Sequence, residues 1–103
     1  MNDETRQKIK AANKGARMLQ VTVAGTDTFV FKAPSRSEWD AWIDGDKSQN
    51  GMRVMAKSCC VYPDDADAAI TKVLDQYPAV LGNGFADAIA ELAGLGVAVQ
   101  SPF

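Results

Sequence analysis

Apolar and polar positions change period several times along this chain, and each change marks a boundary. From Met18, the residues Leu19, Val21 and Val23 alternate with Gln20, Thr22 and Ala24, the period of a strand with one buried face. Thr28-Phe29-Val30-Phe31-Lys32 is a second β-branched and aromatic run, and Gly25-Thr26-Asp27 between the two supplies turn chemistry. The pattern predicts a β-hairpin over 18–33, strand 18–24 pairing with 28–33. A lone hairpin is marginal in water, so one of its faces must lie against helices or a further strand.

After the hairpin the period becomes helical. Pro34 has no amide hydrogen for a ladder, and Ser35-Arg36-Ser37-Glu38 has the spacing of a capping box. A helix from there carries Trp39, Trp42 and Ile43 on one face and stops at Asp44-Gly45; residues 44–51 read as an exposed loop. A helix over 52–62 aligns Met52, Met55, Cys59 and Tyr62, with Arg53 and Lys57 away from that stripe, and ends at Pro63. Asp64 or Asp65 can cap a helix over 66–77 with Ala66, Ile70, Val73, Leu74 and Tyr77 inward, closed by Pro78. The last helix breaks near Gly82-Asn83-Gly84, continues through Phe85, Ile89 and Leu92 with Asp87 and Glu91 outward, and stops at Gly94 and Gly96.

The ends are different in character. Residues 1–17 are a basic arm or a marginal helix, with acids before bases along 3–14 but only Ile9, Ala11 and Ala12 to pack. Residues 97–103 form a short apolar tail. The expected fold class is α+β in a single domain over 1–103, an N-terminal β-hairpin followed by a small mainly α-helical bundle over 35–96.

Composition narrows the function classes. The 103 residues include no histidine and two cysteines, which removes a Ser/His/Asp triad, a Cys/His pair and the commonest transition-metal ligand. Cys59 and Cys60 are adjacent, so a bond between them is unfavourable; they read as small core residues and, as reduced thiols, fit the cytoplasm. No run of 18 apolar residues is present, and the first twenty residues have no apolar region of a secretory signal. The net charge of -2 is unevenly spread. Residues 1–60 hold ten basic and seven acidic side chains, whereas from 61 onward Lys72 stands against Asp64, Asp65, Asp67, Asp75, Asp87 and Glu91. Such polarity suits head-to-tail self-association or docking on a charged partner.

Other candidate motifs fail on spacing. Asp44-Gly45-Asp46-Lys47-Ser48-Gln49-Asn50 has its glycine at the second position of a would-be calcium loop rather than the sixth, and Met55 falls where the closing glutamate belongs. Gly82-Asn83-Gly84 follows no strand and is not a phosphate cradle. Asp64/Asp65 and Asp87/Glu91 read as caps and a solvated face rather than acid/base couples. Neither a metal, a cofactor nor a catalytic residue is expected. Arg6, Lys8, Lys10, Lys14 and Arg17 can touch phosphates, yet no aromatic residue is interleaved for stacking. Trp39 and Trp42 suit both core packing and a partner contact.

Phe31-Lys32-Ala33-Pro34-Ser35-Arg36-Ser37-Glu38-Trp39-Asp40-Ala41-Trp42 resembles the passage from a strand into a Pro-Ser/Thr-Arg-x-Glu-Trp helix in tail assembly chaperones of long-tailed bacteriophages and prophages. Cys59-Cys60-Val61-Tyr62-Pro63-Asp64, Leu74-Asp75-Gln76-Tyr77-Pro78-Ala79 and Ile89-Ala90-Glu91-Leu92-Ala93-Gly94 are similar to that family's later blocks, a helix ending in Val-x-Pro, one ending in Tyr-Pro, and a closing helix with Glu-Leu-x-Gly. The resemblance spans 29–95 and leaves residues 1–17 without a counterpart. It implies a non-enzymatic protein of the host cytoplasm, absent from the mature virion, that binds the tape-measure protein before tail-tube polymerisation. In many members a frameshifted second domain recruits tail-tube subunits. Trp39 and Trp42 are then the residues expected to bind this partner; separately, the uneven charge makes a head-to-tail homo-oligomer an expected state, with Val97, Val99 and Phe103 of the tail as its expected apolar contacts. The alternative is a small phage or prophage regulator that binds nucleic acid through the basic arm.

Overall fold

A three-stranded antiparallel sheet in the order β1-β2-β3 organises the molecule, with helices before, between and after its strands. The computed structural model describes residues 1–45 and 48–102. In chain order these form α1 (Asp3–Ala12), β1 (Met18–Val23), β2 (Asp27–Lys32), α2 (Arg36–Asp44), α3 (Gln49–Cys59), β3 (Cys60–Tyr62), α4 (Ala66–Gln76), a wide-turned helical segment (Leu81–Ala86) and α5 (Asp87–Ala93). The fold is α+β with an N-terminal hairpin.

The hairpin forms as its period requires, with Leu19 opposite Phe31 and Val21 opposite Phe29 on the inner face. Its turn is displaced by one residue from the expected position. Thr26 N–H donates to Val23 C=O at 3.2 Å, and the tight turn puts Ala24 at φ 54° and Gly25 at φ 75°. Asp27 therefore joins β2 opposite Val23, and Ala33 falls beyond the strand end. Two consecutive left-handed residues match the right-handed twist of the strands, which outweighs the cost of placing an alanine there.

The larger correction is β3. Cys60, Val61 and Tyr62 do not continue the preceding helix; they pair with β2, Tyr62 opposite Val30 and Cys60 opposite Phe31, with a bulge between. Two effects override the helical stripe. A residue before proline disfavours helical backbone, and β2 would otherwise leave its second edge unpaired. Tyr62 thus leaves the Met52, Met55, Cys59 stripe. At its other end α3 starts at Gln49, inside the expected loop, whose Asp46 and Lys47 lie outside the described residues. Arg53 and Lys57 are not fully away from the core either, since both are half-buried and the Lys57 ammonium meets Asp67 on α4 at 2.7 Å.

The core fills the space between the inner face of the sheet and the later helices. Phe85 is fully buried with its ring centroid 5.0 Å from both Phe29 and Phe31, edge-on to the first. Ile70, Val73 and Leu74 of α4 and Ile89 and Leu92 of α5 complete the cluster with Met55 and Cys59. Tyr77, expected inward, caps α4 and is exposed. Asp65 occupies the N-cap of α4 without a side-chain bond to it, so the expected acidic cap does not form. The bend at Asn83 lets the wide segment lie close to β1, and a Cβ on Gly84 would sit 3.8 Å from Val21 Cγ1. On the sheet's outer face Val30 is also buried; Ile9 of α1 lies over it across a hollow of about 180 Å³ bordered by Met18 and Gln20. The first helix is therefore formed, capped by Asn2, whose side chain accepts from Thr5 N–H at 2.8 Å.

Candidate partner-binding site

Three local features build the α2–α3 face. Pro34 frees the chain from the sheet, and Ser35 and Glu38 then close a reciprocal capping box: Glu38 N–H donates to Ser35 Oγ at 3.1 Å and Ser35 N–H donates to Glu38 Oε1 at 3.0 Å. This fixes where α2 begins, and so which way Trp39 and Trp42 point. Gly45 ends the helix at a place where a Cβ would meet Ala41 O at 2.7 Å.

Trp39 and Trp42 pack on each other with centroids 5.1 Å apart and planes inclined by 52°. Both are half-buried, resting on the core with part of each ring open. Of the two expectations for this pair, core packing is met, and part of each ring is left uncovered beside it. Trp42 Nε1 is buried and finds no acceptor among the described residues. On one side of the Trp42 ring a groove of about 330 Å³ runs between α2 and α3 over Ala41, Gly51, Val54 and Met55. On the other a hollow of about 350 Å³ lies against Met52, Pro78 and Leu81. Ala41 and Gly51 keep the groove shallow, and Val54 stands 62% exposed on its wall.

Glu38 closes the polar end of this groove. Its second oxygen accepts from the Ser58 hydroxyl and faces the Cys59 sulfur at 3.9 Å. The Ser58 and Ser35 bonds hold the carboxyl below its ordinary value, so Glu38 is an anion at neutral pH. Burial, reinforced by that anion, pushes the Cys59 thiol up to about 12, and burial also raises Cys60. Both cysteines are free. Buried protonated thiols are poor nucleophiles and poor metal ligands. No group of three potential metal ligands occurs among the described residues.

The remaining expected residues are scattered. Val97 and Val99 are 75% and 88% exposed on the tail beyond α5, where Gly94 in the left-handed region ends the helix; Phe103 lies outside the described residues. Two cations of the basic arm have partners. The Arg17 guanidinium donates to Leu92 C=O at 2.7 Å, and Lys8 pairs with Glu4 at 3.5 Å. The tryptophans are legible in the sequence as a spaced pair, whereas Glu38, Val54 and Ser58 join Trp42 around the groove only through packing. The capping-box spacing was the only signal for Glu38, and nothing in the sequence placed Ser58 beside it. No helix of the described residues is long and apolar enough to cross a membrane. No family model, curated protein or solved structure matches the chain.

Proposed function

We propose that this protein is a non-enzymatic tail assembly chaperone that holds an apolar helical segment of a tape-measure protein against the α2–α3 face before tail-tube assembly. The observation that carries the reading is the half-open Trp39/Trp42 pair bordering an apolar groove. Aromatic anchors beside small residues are what a docked amphipathic helix uses, with its apolar side in the groove and its charges at the rim. Glu38 supplies a fixed anion at one end, which favours a lysine or arginine on the client there. The resemblance of the strand-Pro-Ser-Arg-x-Glu-Trp passage to the phage tail chaperones supplies the class of client. Engagement of Arg17 by Leu92 and of Lys8 by Glu4 weighs against the regulator that binds nucleic acid through the arm.

Co-expression with a tape-measure protein of the kind the reading assigns as client tests it. The client becomes soluble and co-purifies with the wild-type chain, and Val54→Glu abolishes both effects while the variant itself stays folded. An insoluble client in the presence of wild-type protein, with no complex recovered, rejects it.

A further inference from the structure

The sheet has two outer edges, β1 and β3, and they are defended differently. β3 is three residues long, bulged against β2 and stopped by Pro63. β1 pairs with β2 over six residues without a bulge, and Met18-Leu19-Gln20-Val21-Thr22-Val23 contains no charge, proline or glycine. Short length, bulges, prolines and charges are the devices that keep an edge from pairing, and β1 has none of them.

The ladder fixes which backbone groups of β1 face outward. Ala33 N–H donates to Arg17 C=O at 2.9 Å, so Arg17 and Ala33 are a hydrogen-bonded pair. Alternation along an antiparallel ladder then directs Leu19, Val21 and Val23 toward β2 and turns the N–H and C=O of Met18, Gln20 and Thr22 away from it. None of those outward groups has a partner among the described residues. The side chains of Gln20 and Thr22 are exposed.

We propose that β1 pairs antiparallel with β1 of a second copy about a two-fold axis at Gln20, joining two three-stranded sheets into one. In that register Gln20 faces the partner's Gln20 and Met18 faces the partner's Thr22, so each outward N–H meets a C=O. On the inner face Leu19, half-buried in one copy, lies against the partner's Val21 and extends the apolar layer across the joint. A two-fold axis sets residues near it against their own copies, so an edge charge there would repel itself; along β1 every side chain is neutral. The tail is the poorer occupant. Between Gly96, in the left-handed region, and Pro102 it offers a shorter extended stretch than β1 itself.

Sedimentation of the full chain over a wide concentration range tests this. The wild type forms a dimer that added salt does not weaken. Gln20→Lys, which sets two like charges opposite each other, weakens it by about tenfold or more and leaves the monomer folded. Thr22→Pro removes an outward N–H that the β1–β2 ladder does not use; it has the same effect where it folds, and Gln20→Lys stands alone where it does not. In a Cys60→Ala background Gln20→Cys cross-links on mild oxidation more readily than Thr22→Cys, because only residue 20 faces its own copy. A monomer at every concentration, a dimer indifferent to Gln20→Lys, an assembly that salt dissolves, or one abolished by Val97→Asp and Val99→Asp instead, overturns the proposal.

Discussion

The guanidinium of Arg17, one residue before β1, donates a 2.7 Å hydrogen bond to the main-chain carbonyl of Leu92 at the end of α5. A cation at a helix C-terminus meets both an orphan carbonyl and the negative end of the helix dipole. The contact therefore ties the first strand to the last helix across 75 positions of sequence. Arg17→Met keeps the aliphatic stem and removes the donors; it is expected to lower stability by about 1 kcal/mol, read as a shift in the urea midpoint at constant slope. Arg17→Lys recovers only part of that, since a lysine offers the charge without the planar fork.

Glu38 makes stability pH-dependent. Its carboxyl is held below the ordinary value of 4.5, chiefly by the Ser58 hydroxyl and then by the Ser35 N–H. A depressed folded-state pKa means that the stabilisation is fully present above the unfolded value and is lost as pH falls through the folded one. The wild type should lose stability on acidification below about pH 4.5 more steeply than Glu38→Gln, whose acid limb is flatter by the share Glu38 contributes. Denaturant midpoints from pH 7 to pH 2.5 check this. Ser58→Ala should fall between the two, because it removes the largest cause but leaves the capping box.

Ala24 sits in the left-handed region at φ 54°, beside Gly25 at φ 75°. Paired positive angles are the geometry for which Asn-Gly is the favoured sequence. Ala24→Asn and Ala24→Gly should each stabilise the protein by about 0.5–1 kcal/mol, a rise of a few degrees in Tm. Calorimetry that finds either variant less stable would contradict the turn described here.

The thiols should be silent in the native protein. Cys59 is fully buried and its pKa is pushed up to about 12, first by burial and then by the Glu38 anion. At pH 8 a disulfide reagent is expected to modify Cys59 only as fast as the protein unfolds, with the reaction becoming rapid in denaturant. Cys60 is half-buried, with its Sγ 3.0 Å from Tyr62 O, and should react slowly but ahead of Cys59. Fast native labelling of Cys59 would mean that the α3–β3 junction opens.

Some of this architecture is legible in the sequence alone. Leu19, Val21 and Val23 face inward because a period of two has one buried side, and Ser35 with Glu38 starts α2 because their spacing satisfies two orphan amides at once. Phe85, Ile89 and Leu92 lie inward for the corresponding helical reason. Of the candidate site, the tryptophan pair could be read from a three-residue spacing, and its half-open state could not, since exposure depends on what the next helix leaves uncovered.

What the sequence determined by itself was therefore whatever rests on neighbours a few residues apart: a hairpin, capped helices and their apolar stripes. Tertiary structure alone decided the rest. Cys60 to Tyr62 became a strand because β2 had an edge to fill, Ser58 met Glu38 because α3 packs against α2, and Arg17 found Leu92 at the far end of the chain. Each of these satisfies a backbone or carboxylate group that the local segment leaves open, and the partner that closes it is set by the packing of distant elements rather than by any short-range pattern.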